Sequence, residues 1–315
     1  MGFSVQEAGL FTTVQDGGRT GYQQFGVSPS GPMDEEALFL ANMLVGNPRG
    51  TEGLEMTFSG VTLSFERDNV IAVTGADMQP ALNGEPVPMY RAVIVRRGDV
   101  LKMGFARSGS RGYIAFAGGL QIPEVMGSKS TLAGKNLGGL EGRNLRAGDR
   151  IRFAAPVSSL PDMEQRCLPM PVYPEKEVVL RVIPGPQDDM FSEEELRRFF
   201  WYGAKITDEF DRQGCRLLRE EPVHHLKDGN IISDGISFGS IQVPTNGQPI
   251  IMLADRQTVG GYAKIGTVIS QDLPKIAQSR PGMHVRFVRV GMDLAQDLYI
   301  ARMNKYVALE KQFAR

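Results

Sequence analysis

The sequence predicts a mainly β protein built from two tandem β domains, with a few short helices and one helix at the C-terminal end. Three observations predict it. β-Branched and aromatic residues come in short runs such as Val61-Thr62-Leu63-Ser64-Phe65 and Val70-Ile71-Ala72-Val73, and glycine is abundant at 37 residues, which is the punctuation of many short strands. A turn-and-strand phrase occurs three times, as Arg96-Arg97-Gly98-Asp99-Val100, Arg146-Ala147-Gly148-Asp149-Arg150 and Arg280-Pro281-Gly282-Met283-His284, each a glycine turn feeding an alternating strand. A second phrase occurs twice, as Gly118-Gly119-Leu120-Gln121-Ile122-Pro123 and Gly239-Ser240-Ile241-Gln242-Val243-Pro244. Duplication of a β domain is the economical explanation.

The domain boundary is placed where Pro156, Pro161, Pro169, Pro171 and Pro174 deny donors to a regular ladder and favour an extended path. The expected organisation is residues 1–155, a linker over 156–175, and residues 176–315.

The helices are few but well signed. Asp34 caps a helix running through Asn42 toward Val45, with Met33 and Leu38 at staple spacing and Gly46 as its stop. Ser192 with Glu195 forms a capping box ahead of Leu196, Phe199 and Phe200, whose stripe reads as core. Asp293 starts an amphipathic C-terminal helix through Leu298, Met303 and Val307.

Composition bounds the function. Lys+Arg total 35 against Asp+Glu 36 in 315 residues, so no broad positive field exists to hold a nucleic acid. The N-terminal residues lack a basic segment followed by an apolar run, and no stretch approaches the ~20 apolar residues of a membrane span. The two cysteines, Cys167 and Cys215, sit far apart with no metal-ligand spacing, which fits reduced thiols in the cytoplasm and no metal site. His224 and His225 are adjacent, so on a strand they point to opposite faces and cannot share a metal.

The densest polar phrase is Asp255-Arg256-Gln257-Thr258-Val259-Gly260-Gly261-Tyr262, following the apolar run Ile250 to Leu253. An acid, a guanidinium, an amide and a hydroxyl side by side suit an amide or carboxylate ligand, with glycines allowing close approach to the backbone. A solvated hairpin turn is the competing reading. Gln15, Asp16 and Arg19, around Gly17-Gly18, repeat the theme, and here a plain tight turn competes. Ser128, Lys129, Ser130 and Thr131 carry hydroxyls and a cation of the kind phosphate binding uses. The segment departs from the phosphate-loop pattern, because six residues separate its glycines and Asn136 follows Lys135. Cys215, within Asp211-Arg212-Gln213-Gly214-Cys215, has arginines nearby but no histidine to act as base, so an unreactive thiol is expected.

Taken together, Gln15-Asp16-Gly17-Gly18-Arg19, Gly31-Pro32-Met33-Asp34, Ala41-Asn42-Met43-Leu44-Val45-Gly46-Asn47, Thr74-Gly75-Ala76-Asp77, Gly127-Ser128-Lys129-Ser130-Thr131, Asp211-Arg212-Gln213-Gly214, Ser233-Asp234-Gly235, the Gly239 to Pro244 phrase, Asp255 to Tyr262 and Ala277-Gln278 resemble the allophanate hydrolase subunit 2 family in order and spacing. That family includes stand-alone subunits of ATP-dependent 5-oxoprolinases, one once described as antagonising a sporulation-kinase inhibitor, and the carboxyltransferase region of biotin-dependent urea carboxylases. The resemblance implies two cyclophilin-like β-barrels and the opening of 5-oxo-L-proline to L-glutamate with hydrolysis of ATP, alongside subunits A and B. ATP is implied as co-substrate, bound on this chain or on a partner.

No Met-Lys-Met biotinyl-lysine phrase occurs, so a stand-alone subunit without covalent biotin is expected. Two alternatives stay open: a carboxyltransferase component served by carboxybiotin from another protein, and a binding module without chemistry that sequesters a regulatory partner. Asp255, Arg256 and Gln257 are the expected catalytic residues, with Asp255 orienting Arg256 or the substrate amide. Gln242, Thr258, Gly260, Gly261, Tyr262, Gln15, Asp16 and Arg19 are expected at the substrate. Ala263 stands where similar proteins usually have proline, which is expected to loosen a turn.

Overall fold

The computed structural model describes residues 1–313 and divides the chain into two compact units. Among the described residues the first comprises Met1–Thr20 and Ser30–Tyr173 together with residues 306–313, and the second comprises Gly21–Pro29 and Pro174–Lys305. The split is therefore not the sequential one expected. The proline-rich stretch is packed against the first unit: Ala92 N–H donates to Arg166 O at 2.9 Å and Leu168 N–H to Tyr90 O at 2.8 Å. Arg166, nearly buried, donates to Pro161 O at 2.8 Å and Phe313 O at 2.6 Å. The guanidinium thus takes up a loop carbonyl and a last-turn carbonyl of the terminal helix, which the helix itself leaves without a partner.

The first unit holds two antiparallel sheets. In spatial order one runs Arg150–Arg152, Gly2–Glu7, Thr62–Phe65, Val100–Lys102, Ala81–Leu82, Glu85–Pro86, and the other Phe11–Gln15, Gly53–Thr57, Arg111–Phe116, Asn69–Gly75, Ala92–Val95. Both contribute to one core, with Phe3, Phe65 and Leu101 from the first meeting Leu54, Val73 and Phe116 from the second. Phe3 stacks on Phe116 at 4.9 Å between ring centres.

The second unit is a sheet that closes on itself. Its order is Glu177–Pro184, His284–Arg289, Ala204–Phe210, Gly214–Leu218, Ile250–Met252, Ser240–Val243, Val259–Val268, Asn230–Gly235. Glu177–Pro184 also pairs with Val259–Val268, which closes the first seven strands of that order into a barrel and leaves Asn230–Gly235 as an edge strand on Val259–Val268. The mainly β architecture read from the sequence is present in both halves.

The three glycine turns share one geometry. Gly98, Gly148 and Gly282 have φ of 96°, 94° and 89°, and the carbonyls of Arg96, Arg146 and Arg280 accept the N–H three residues on at 3.0, 3.1 and 3.2 Å. A positive φ at the third position is what makes glycine necessary there. Asp99 and Asp149 reach back to the N–H of Arg96 and Arg146 at 2.7 and 2.8 Å; Met283 makes the equivalent contact through sulfur.

Helix Glu35–Leu44 starts as read, with the Asp34 carboxylate accepting from Ala37 N–H, and Gly46 adopts φ 76° beyond its end. Ser192 caps Glu193–Tyr202 by accepting from Glu195 N–H. The terminal helix spans Met292–Phe313. Among the described residues no helix is long and apolar enough to cross a membrane.

Candidate functional site

Strand register in the second unit sorts side chains onto two faces. Cys215, Ile251 and Ile241 pair across three neighbouring strands and are buried in the core. One residue along, Arg216, Ile250, Gln242 and Lys264 pair across four strands. Successive residues on a strand point to opposite faces, so this second row lies away from the core. A bulge beside Gln242 keeps it opposite Lys264.

Over that face lies a cavity of about 480 Å³, within the ~300–1,000 Å³ range of small-molecule sites, lined by Gln242, Gln257, Tyr262, Gln213, Ile250 and Arg216 with Asp208, Glu209 and Asp211 at one side. Gln242 is 2% exposed, and among the described residues its amide nitrogen has no hydrogen-bond partner. A buried donor without a protein partner is costly, and it suits the acceptor of a ligand. Gly260 shows where. A Cβ there would lie 2.7 Å from Gln257 Nε2 and 2.8 Å from Gln242 Nε2, so two amide donors converge on space that glycine alone leaves open. A larger open groove of about 1070 Å³ runs along helix Glu193–Tyr202, without a buried unmatched donor among its lining residues.

Of the residues expected at a site, Gln242, Gln257 and Tyr262 line this cavity and Gly260 adjoins it. Gly260 and Gly261 belong to a strand paired with Asn230–Gly235, not to a hairpin turn. Ala263 lies in the same strand, buried, and its N–H donates to Gly229 O at 3.1 Å. A proline could not make that bond, so no turn is loosened there.

Asp255, Arg256 and Thr258 are not among the cavity-lining residues. Both oxygens of Asp255 accept from Arg212, at 2.9 Å each, so its bidentate partner is Arg212, and the expectation that it orients Arg256 gives way. Arg256 is held by the carbonyls of Ile236 at 3.0 Å and Leu253 at 3.3 Å and lies over the Phe238 ring. Burial pushes its pKa down to about 10 against the opposing charge of Asp255. Thr258, buried, accepts from Ile236 N–H through its carbonyl.

The expected residues of the first unit come together in a separate cluster. Asp16 accepts from the hydroxyls of Ser128 and Ser130 at 2.6 Å each, from Lys129 N–H at 2.6 Å and from Gly18 N–H at 2.9 Å. Lys129 pairs with Glu52 at 3.0 Å, Arg19 donates to Val125 O and Ser130 O, the Gln15 amide donates to Thr131 O, and the Thr131 hydroxyl donates to Val14 O. The hydroxyls and cation suited to a phosphate are engaged internally, and the segment acts as a carboxylate-centred lock between loops. The donors do not present the free, outward array that a triphosphate needs.

The sequence reading missed Arg212, Gln213, Asp208, Glu209, Asp211 and Arg216. A signal lies in the Asp211-Arg212-Gln213-Gly214 phrase, which carries an acid, a guanidinium and an amide of its own; the neighbouring Cys215 thiol is buried in the core. Among the described residues no group of three or more His, Cys, Asp or Glu is placed to hold a metal.

A family model described as carboxyltransferase domain, subdomain A and B, matches residues 25–289. The chain belongs to this carboxyltransferase-domain family. It is 36% identical over 291 residues to a 5-oxoprolinase subunit from Escherichia coli, covering 92% of each chain. It is 35% identical to the urea amidolyase of Lachancea kluyveri, covering 94% of this chain and 17% of that protein. Among solved structures, the urea amidolyase of K. lactis superposes with a TM-score of 0.92 at 33% identity, over 98% of this chain and 20% of that one. The resemblance drawn from the motifs is borne out. The carboxyltransferase-domain relatives thus include both a subunit of a multi-subunit enzyme and one region of a much longer polypeptide.

Proposed function

We propose that this chain is the amide-binding subunit of an ATP-dependent 5-oxoprolinase, which opens the lactam of 5-oxo-L-proline to L-glutamate together with subunits A and B. The observation that carries this reading is the convergence of the buried, unmatched Gln242 amide and the Gln257 amide beside Gly260. Two N–H donors aimed at one point suit a carbonyl oxygen, and they stabilise it most as negative charge develops there. A lactam is a weak electrophile, and phosphorylating its carbonyl oxygen is the use ATP would serve. The ATP-binding role is assigned to the partners, because the loop at Ser128–Thr131 is engaged with Asp16 and the cavity carries three carboxylates against one guanidinium.

The test is Gln242→Leu in the reconstituted assembly of all three subunits. Loss of one charge-stabilising donor is expected to reduce ATP-dependent glutamate formation by roughly 10²-fold. Unchanged turnover with intact assembly sinks the reading.

The description of the matched family and the close superposition on a urea amidolyase favour a second reading: the same two donors hold a ureido carbonyl during carboxyl transfer. Avidin-detectable biotin on a co-purifying protein, with no 5-oxoproline turnover, would select it.

A further inference from the structure

The cavity has a second polar end, and it faces the amides across two strands. Arg216 and Gln242 flank Ile250 in the same cross-strand row, so their backbones stand about 10 Å apart on the same face. Arg216 is the only cation among the cavity-lining residues. Among the described residues its guanidinium contacts a single carboxylate, that of Glu209, at 2.8 Å. Both partners are open to solvent, with side chains 53% and 74% exposed, and ion pairs so exposed are weak and readily exchanged. Glu209 also sits on an irregular stretch: the register of Ala204–Phe210 shifts between Ile206 and Phe210. Asp211, by contrast, is bonded to the N–H groups of Gln213 and Gly214 and is fixed in its turn.

We propose that Arg216 is the specificity-determining residue of this cavity: it takes the carboxylate of a small amide whose carbonyl is held by Gln242 and Gln257, and Glu209 occupies that position until the ligand displaces it. The ligand class is a lactam or amide that also carries a carboxylate. A guanidinium grips a carboxylate with two parallel hydrogen bonds, and the ligand's second anchor at the amides gives it an advantage over the tethered Glu209. Asp208 and Asp211 stay at the rim and disfavour a polyanion such as a nucleotide. This inference rests on the amide-binding reading above.

The two are separable by titrating the full chain with 5-oxo-L-proline and with 2-pyrrolidinone, the same lactam without its carboxylate, followed by ligand-observed NMR. The wild type is expected to bind the acid at least tenfold more tightly than the neutral lactam. Arg216→Gln is expected to remove that ratio while leaving 2-pyrrolidinone unaffected, Arg216→Lys to restore part of it, and Glu209→Gln to raise affinity for the acid alone. A ratio that survives Arg216→Gln, including one preserved because both ligands weaken equally, overturns the role of Arg216. If Gln242→Leu changes the affinity of neither ligand, or if neither ligand binds the wild type, the amide-binding reading fails and this inference with it.

Discussion

Arg212 and Asp255 form a two-bond ion pair, at 2.9 Å for each contact, across 43 residues of sequence. Asp255 N–H also donates to Arg212 O at 2.7 Å. The pair therefore ties the hairpin that carries Gln213 and Arg216 to the turn that precedes Gln257, and it sets the two ends of the cavity relative to one another.

Because both side chains are nearly buried, removing one leaves an uncompensated charge. Asp255→Ala is expected to destabilise the protein by about 3–5 kcal/mol, with Arg212→Ala similar and the double replacement costing less than the sum of the two. Urea denaturation of the three variants measures this. Additive losses below ~1 kcal/mol would show that the pair does not brace the site.

Gly260→Ala tests the space between the amides. The residue is not in the left-handed region, so alanine is conformationally allowed and the effect is steric. A methyl group 2.7–2.8 Å from Gln257 Nε2, Ile236 Cδ1 and Gln242 Nε2 must displace all three, an overpacking that costs ~1–3 kcal/mol. Lactam-dependent turnover is expected to fall at least about tenfold, equivalent to ~1.4 kcal/mol in the barrier, in a protein that stays folded by circular dichroism. Turnover within about twofold of wild type would place the reacting carbonyl elsewhere.

Acid stability has an identifiable contributor in the second unit. Burial raises the pKa of Asp272, but hydrogen bonds from Arg181 and Lys275 outweigh it and hold the carboxyl below its ordinary 3.8. A folded-state value below the unfolded one means that the stabilisation is complete above the unfolded pKa and is lost as pH falls through the folded one. Urea melts of the wild type between pH 7 and pH 2 are expected to show stability falling below about pH 4, and Asp272→Asn to flatten that limb. Equal acid slopes for both proteins would assign the loss to other carboxylates.

The cavity illustrates how far the sequence reading reaches. Gln242 and Gln257 stand out in the sequence as amides beside glycines, and the structure brings them together at Gly260. The acid and the guanidinium of the same phrase read as a working pair because they are neighbours in the chain, yet Asp255 meets Arg212 and Arg256 meets backbone carbonyls. The chain turns at Ala254 and Asp255, so the two neighbouring side chains leave it toward different partners, and proximity in sequence is a poor guide to partnership.

What the sequence determined by itself is local in origin. A glycine forced to positive φ makes the turns at Gly98, Gly148 and Gly282, and a side-chain oxygen reaching the N–H three residues on makes the starts at Asp34 and Ser192. Each is settled within four or five residues, and so is legible without the rest of the chain. Tertiary structure decided which polar groups are buried and whom they meet. Gln121 and Gln242 occupy equivalent places in the duplicated phrase, yet Gln121 is exposed and lies outside any strand, whereas Gln242 is buried in a barrel strand above the cavity. Asp16 likewise finds Ser128 and Ser130 from 112 and 114 residues away. Burial and strand register depend on distant partners, and a shift of one residue in pairing would exchange the row of Arg216 and Gln242 for the row of Cys215 and Ile241.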